Sequence, residues 1–291
     1  MSDSSTAASG NLNQIFAGLS DGEQEILDQA DHFAKKELYP LAPRMDNEEW
    51  WPTEIFPKMG AIGYFGITAP EQYGGVGLDI FSSGLILQAF SRWNHALGLS
   101  WVAHENLCMN NILRNGNDEQ RQKYLPGLNK GTAIGALGLT EPGAGSDALG
   151  SMRTTARREG SHYVLNGSKI YITNGPVADV LLVYAKTDKE RGQHGISAFI
   201  VEKNFPGFKV AQKLVKMGYR GSQTAELVFE DCRVPAENRV GEENRGVKIV
   251  MSGLDLERAM IAPICLGIGE RALELCIDYA KQRQQIGRAH V

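Results

Sequence analysis

One carboxylate in this sequence occupies a position where an aliphatic side chain belongs. Glu257 falls in the helical stripe Val250, Leu254, Ile261, Ile264 and Ile268. Asp255 and Arg258 are three residues apart and can pair with each other, while positions 253, 254, 260 and 261 are Gly, Leu, Met and Ile. Glu257 therefore has no cation within its own helix. Desolvation without a partner raises a carboxyl pKa, the tuning that a general base near neutral pH requires. A structural glutamate bridged to another helix or to water would give the same pattern, and periodicity weighs the two readings equally.

A second feature is the string Leu137-Gly138-Leu139-Thr140-Glu141-Pro142-Gly143-Ala144-Gly145-Ser146-Asp147, a strand that runs into a glycine-rich loop. Such a loop lets backbone approach a ligand closely, although for a lone glycine cluster a plain turn is favoured by about two to one. The pattern Gly143-x-Gly145-x-x-Ala148 approximates a dinucleotide fingerprint, but that fingerprint needs a following helix, whereas Ser151 to Ala156 reads extended. A Rossmann site is thereby set aside. Arg283 lies near the end of the last helix, where most arginines are simply solvated. No histidine forms H-E-x-x-H or a close pair, so no metal site is expected.

Three kinds of texture must position these groups. Ser20-Asp21-Gly22-Glu23 is a capping box, and helical patterns follow from there, then over Thr53 to Met59, Asp79 to Trp93, Leu99 to Arg114 and Asp118 to Leu128. After Gly131 come short β-rich runs: Ala133 to Thr140, His162 to Leu165, Lys169 to Thr173, Val180 to Ala185, Ile196 to Val201 and Ala225 to Phe229. Turns are expected at Asn166-Gly167, Asn174-Gly175 and Pro206-Gly207. From Asn244 the pattern is helical again and apolar on most sides. The reading is an α+β chain: a flexible tail over 1–18, a helical domain over 19–132, an antiparallel β-domain over 133–243, and the start of a second helical domain over 244–291.

Composition narrows the function. With 30 basic and 34 acidic side chains in 291 residues there is no charge excess to favour nucleic acid or an anionic membrane. No apolar stretch is long enough to span a bilayer, and the start lacks a signal peptide or an Arg-rich presequence. The four cysteines, 108, 232, 265 and 276, are widely spaced without a C-x-x-C pair, which fits reduced thiols. A bacterial cytoplasmic protein is expected, with a mitochondrial matrix form as the alternative.

The string from Leu137 to Asp147 resembles the flavin-binding signature of the acyl-CoA dehydrogenases nearly residue for residue. Lys169-Ile170-Tyr171-Ile172-Thr173-Asn174-Gly175 resembles that family's second flavin segment, which usually has Trp where this chain has Tyr171. The resemblance covers nearly the whole chain after the tail, and implies a helical domain, a central antiparallel β-barrel domain and a C-terminal helical bundle. It implies FAD as cofactor, held by Leu137, Leu139, Thr140, Gly145 and Ser146 and by Tyr171, Ile172 and Thr173, with Ser146 also touching the CoA ligand. Met251 to Arg258 resembles the isovaleryl-CoA dehydrogenase branch, whose base is the glutamate of this segment, whereas many other members carry theirs in a later C-terminal loop. Supporting strings are Ala103 to Cys108, Arg114 to Asn117 and Phe229 to Cys232.

The resemblance thus implies that Glu257 takes the α-proton of a short branched acyl-CoA while the β-hydride passes to flavin N5, converting isovaleryl-CoA to 3-methylcrotonyl-CoA in leucine catabolism. The Glu257 backbone amide and a flavin ribityl hydroxyl would steady the thioester oxygen. Lys248, Asp255 and Arg258 are implied at the substrate, Lys248 where an aromatic often touches it, and Ala259-Met260-Ile261 would reshape the pocket wall. Arg283 is implied to reach the FAD of a neighbouring subunit in a homotetramer of the full-length chain, with an electron-transfer flavoprotein as electron acceptor. Rival readings are a dehydrogenase for a longer branched or medium acyl chain, and a flavin-fold assembly partner without catalysis. An unpaired buried carboxylate argues against the latter. Family members continue well beyond residue 291, so a truncated chain is expected, and the last residues, Ile286 to Val291, back-translate to a sequencing-adapter string and are expected to be non-native.

Overall fold

The computed structural model describes residues 18–284. The expected tail up to residue 17 and the last residues from 285 lie outside the described residues. The first helix, α1 (Asp21–Phe33), begins as the capping box requires: the Glu23 amide donates to Ser20 Oγ (3.4 Å), and the Ser20 amide donates to Glu23 Oε2 (2.7 Å). A π-helical turn (Ala34–Leu38) and two short helices, α2 (Ala42–Glu48) and α3 (Ile55–Ala61), lead to α4 (Ile80–Val102).

The two helices expected on either side of residue 95 are one. Asn94 leaves helical backbone geometry (φ −153°, ψ 83°), but its side chain replaces what the backbone loses there. Its Nδ2 donates to the Leu38 carbonyl (2.9 Å), and its Oδ1 accepts from the Leu97 amide (3.2 Å). Residues on both sides of the kink are buried, so the chain bends without leaving the core. Beyond Val102 a π-helical turn (Ala103–Met109) continues into α5 (Asn110–Asn115), and α6 (Asp118–Asn129) closes the helical part.

Eight strands follow: β1 (Gly135–Gly138), β2 (Thr155–Glu159), β3 (His162–Thr173), β4 (Val180–Lys186), β5 (Ile196–Glu202), β6 (Phe208–Lys213), β7 (Thr224–Pro235) and β8 (Arg239–Val240). Their order is β6-β7-β3-β2-β4-β5-β8, with β1 pairing β4 off this path. The pairing is not purely antiparallel as expected, because β1 runs parallel to β4. The expected Asn166-Gly167 turn is a bulge inside the continuous strand β3, where Gly167 (φ +147°) lies against Thr154 too closely for a Cβ. Strand β6, exposed apart from Phe208, lies outside the expected β-rich runs.

The last helix, α7 (Gly246–Gln282), buries Gly246, Val250, Gly253, Met260, Ile264 and Gly267. These positions recur alternately at four and three residues, and Glu257 fills the remaining step between Gly253 and Met260. The expected stripe is thus corrected at one position: Ile261 is 39% exposed, and Met260 takes its place in the seam. Small residues set the approach of α7 to the rest. A Cβ at Gly267 would lie 2.2 Å from the Gln88 carbonyl oxygen of α4, and one at Gly253 would lie 2.3 Å from Asn111 Nδ2. No helix among the described residues is long and apolar enough to cross a membrane, and all four cysteines are unpaired.

Gly267→Ala is expected to destabilise the protein by about 2 kcal/mol, because the obstacle is backbone and the two helices must separate. Urea unfolding of the full chain checks this, and an unchanged midpoint would show that the crossing is loose.

Candidate active site

Where β1 ends, the chain leaves the sheet and is tied down from below by Lys169 of β3. Its ammonium donates to the Leu139 carbonyl (3.0 Å) and to Glu141 Oε1 (2.8 Å), and both charged side chains are buried. Glu141 also accepts from the amides of Arg153 (2.6 Å) and Thr154 (3.0 Å). Reciprocal backbone bonds between Glu141 and Ala144 close a tight turn over Pro142 and Gly143. Burial pulls the Lys169 ammonium down to about 8 against the opposing pull of Glu141. Burial alone would raise the Glu141 carboxyl, but the Lys169 charge and the amide and hydroxyl donors outweigh it and hold the group below the usual range. The sequence signal for this pair is Lys169 set among the apolar positions of β3, a charge that burial obliges to find an acidic partner.

The second segment is stitched to the first by the Ile170 amide, which donates to the Thr140 carbonyl (2.9 Å). Immediately afterwards β3 bulges, and Tyr171 takes a left-handed conformation (φ +61°) with its side chain 67% exposed. That backbone costs a non-glycine residue roughly 1–2 kcal/mol. A bulky aromatic held there and turned outward marks a position kept for contact. Asn174, also left-handed (φ +65°), anchors the far end by donating to the carbonyls of Ser100 (2.8 Å) and Gly135 (3.1 Å).

The helical side of the site is the π-helical turn Ala103–Met109. His104 accepts from the Gly135 amide at Nδ1 (2.8 Å), which leaves Nε2 to donate to the Leu128 carbonyl (3.1 Å), so the ring bridges the helices to β1 in its neutral form. Burial depresses its pKa to about 4. Glu105 accepts from the amides of Gly66 and Ile67 (both 2.8 Å), and burial pushes it up to about 7. These anchors leave Ala103 and Leu107 facing the sheet across a gap.

That gap is a cavity of about 210 Å³. Leu137, Leu139 and Thr140 line it from the glycine-rich segment, Tyr171, Ile172 and Thr173 from the bulge, and Leu254 and Glu257 from α7. Glu257 is half-buried and has no ion-pair or hydrogen-bond partner among the described residues. Burial raises its carboxyl above the ordinary glutamate range, against a smaller opposing pull from Arg258. The two readings of Glu257 left open by periodicity are thereby narrowed, since no bridge to another helix is found among the described residues. Its backbone amide, however, lies mid-helix, where the N–H is engaged in the helical ladder and is not free for a thioester oxygen.

Other expected site residues stand apart from this cavity. Gly145 and Ser146 are exposed on the loop beyond the Glu141–Ala144 turn. Asp255 and Arg258 pair with each other (3.1 Å) on the exposed side of α7. Lys248 faces a separate cleft with Asn115, Glu242 and Arg245. Of the three expected wall residues, Ala259 and Ile261 are exposed and Met260 is buried in the seam. Arg283 caps the end of α7, 26 residues beyond Glu257, or roughly 39 Å along a helix rising 1.5 Å per residue.

The donor set fits a planar, hydrogen-bonding ring. The hydroxyls of Thr140 and Thr173 have no partner among the described residues, an outward tyrosine offers a face for packing, and apart from Glu257 the rest of the lining is apolar. No group of acidic, histidine and cysteine side chains among the described residues is arranged to hold a metal.

Comparison with known proteins agrees with this architecture in order along the chain. Residues 20–132 match the acyl-CoA dehydrogenase N-terminal domain, 136–232 the middle domain and 244–291 the C-terminal domain. The chain belongs to the acyl-CoA dehydrogenase family. It is 48% identical over 281 residues to the mitochondrial isovaleryl-CoA dehydrogenase of Pongo abelii, covering 95% of this chain and 66% of that protein, just under two thirds of its length. Butyryl-CoA dehydrogenase from Megasphaera elsdenii superposes with a TM-score of 0.90 at 42% identity, over 94% of this chain and 72% of that one. A chain from a structure described as the electron transferring flavoprotein of Acidaminococcus fermentans also scores 0.90, at 47% identity, over 93% of this chain and 71% of that one.

Tyr171→Gly is expected to raise the stability of the cofactor-free protein, or leave it unchanged, while weakening ligand binding at the cavity. Thermal unfolding with and without added FAD separates the effects. A large loss of stability without ligand would mean that the ring packs structurally.

Proposed function

We propose that the protein is an FAD-dependent acyl-CoA dehydrogenase that oxidises isovaleryl-CoA, a short branched thioester, to 3-methylcrotonyl-CoA. The observation that carries this reading is the meeting of Glu257 with the glycine-rich and bulge segments around one cavity. FAD, when bound, supplies the two-electron acceptor for the hydride that leaves the substrate β-carbon. Leu137, Leu139, Thr140, Tyr171, Ile172 and Thr173 would hold its ring, and the exposed Gly145 and Ser146 would take part in holding its phosphates.

Glu257 takes the α-proton onto its carboxylate. Desolvation makes that carboxylate a stronger base than a solvated glutamate, and the missing partner leaves its oxygens free to face substrate. Leu254, Ala103 and Leu107 exclude water from the acyl group, while Ser146, Lys248, Asp255 and Arg258 lie on the outer surfaces available to the CoA moiety. The distance of Arg283 from Glu257 suits a contact with a neighbouring subunit's cofactor in a homotetramer of the full-length chain. An electron-transfer flavoprotein takes the electrons onward. Four unpaired thiols suit a cytoplasmic setting.

The test is anaerobic bleaching of the flavin absorbance by isovaleryl-CoA, butyryl-CoA and octanoyl-CoA in the FAD-loaded full-length protein and in Glu257→Gln. Isovaleryl-CoA is expected to bleach wild type fastest, and the variant to keep FAD but bleach about 10²–10⁴-fold more slowly. The wild-type rate should rise with pH through a midpoint above the ordinary glutamate range, because only the ionised base can accept the proton. A variant as fast as wild type would remove Glu257 from the chemistry. Faster bleaching by butyryl- or octanoyl-CoA would reassign the substrate.

A further inference from the structure

Lys169 is among the largest fully buried side chains of the protein, and a simple neutralising pair with Glu141 does not account for its contacts. Glu141 has two backbone donors of its own, from Arg153 and Thr154. The Leu139 carbonyl, by contrast, accepts only from the Lys169 ammonium among the described residues. Lys169 therefore determines which way that carbonyl points: inward, beneath the floor of the cavity.

The consequence follows from peptide geometry. None of the described peptide bonds is cis, and in a planar trans peptide the N–H points opposite to the C=O. With the Leu139 carbonyl held inward, the Thr140 N–H is directed outward, to the side on which Leu139 and Thr140 line the cavity. It has no acceptor among the described residues. The next peptide is pinned as well, since the Thr140 carbonyl accepts from the Ile170 amide (2.9 Å).

We propose that Lys169 is a positioning residue of the cofactor site, holding the Leu139–Thr140 peptide so that a backbone donor is aimed at FAD before it binds. This rests on the reading that the cavity holds FAD. Glu141 keeps the ammonium charged in a buried place, and Lys169 acts through the Leu139 carbonyl without touching the cofactor.

The experiment titrates FAD into the cofactor-free full-length protein as wild type, Lys169→Met and Glu141→Gln, alongside thermal unfolding without FAD. Both substitutions break the same ion pair and lower the melting temperature, but only the first frees the Leu139 carbonyl. Lys169→Met is expected to weaken FAD binding roughly tenfold or more, the worth of a hydrogen bond to a charged donor, and to shift the visible bands of the flavin that still binds. Glu141→Gln is expected to weaken it by less than about threefold. Wild-type affinity in Lys169→Met, or affinity losses that track stability losses equally in both variants, would overturn the proposal. Should Lys169→Met not fold, hydrogen exchange of the wild-type Thr140 amide decides: slowing on addition of FAD is expected, and unchanged exchange overturns the proposal. If wild type takes up no FAD, the functional reading fails and the proposal with it. If wild type binds FAD and is bleached by substrate while Lys169→Met binds equally well, the proposal alone fails.

Discussion

The structure turns on a single constraint: buried polar groups near the junction of helices and sheet draw hydrogen-bond partners from other elements of the fold. His104, on a helical turn, bridges the end of α6 to the first amide of β1. Asn174, at the end of β3, reaches the carbonyls of Ser100 and Gly135. Within the helical part, Glu105 receives two amides from the loop at Gly66 and Ile67, which fixes the turn that carries Ala103 and Leu107. Each bond is individually modest, but a missing partner would leave a buried polar atom exposed to apolar surroundings, at roughly 1–3 kcal/mol. The helical and sheet parts are thereby registered against each other, and the gap left between these bonds is the cavity.

Against that rigid surround, conformational cost is concentrated in one place. Tyr171 adopts a left-handed backbone that glycine would adopt freely, yet its side chain is mostly exposed and gains little from packing. The bulge that allows this lies between residues fixed on both sides, Lys169 by its buried ion pair and Ile172 by the resumed ladder with β7. Glu257 is the electrostatic counterpart across the cavity, a carboxylate carried half-desolvated by the apolar seam of α7. Strain and desolvation face each other, as expected of a site arranged in advance for a ligand.

Surface charge contributes little by comparison. Ion pairs such as Arg44–Glu48, Lys209–Glu230 and Arg258–Asp255 join well-exposed side chains, and pairs of that kind are worth about 0–1 kcal/mol each. The pair that matters to the architecture is Lys169–Glu141, enclosed and supplied with further hydrogen bonds. Breaking such a pair from one side is costly even where the pair itself adds little net stability.

Much of this was legible in the residues. The Ser20–Glu23 capping box, the helical period over α4 and α7 and the β-rich runs after Gly131 are local signals, read from neighbouring side chains and backbone preferences. So was the oddity of Glu257, because a helix fixes which residues share a face. The sequence did not reveal that β1 runs parallel to β4, that Asn166-Gly167 is a bulge instead of a turn, or that Met260 replaces Ile261 in the seam. Those depend on what lies opposite each residue, which periodicity does not encode. The sequence by itself determined the kinds of element and the chemistry available to them. Tertiary structure alone decided that Tyr171 would be strained and outward, that Lys169 would hold the Leu139 carbonyl, and that Glu257 would be left without a partner, because each rests on contacts between residues tens to hundreds of positions apart.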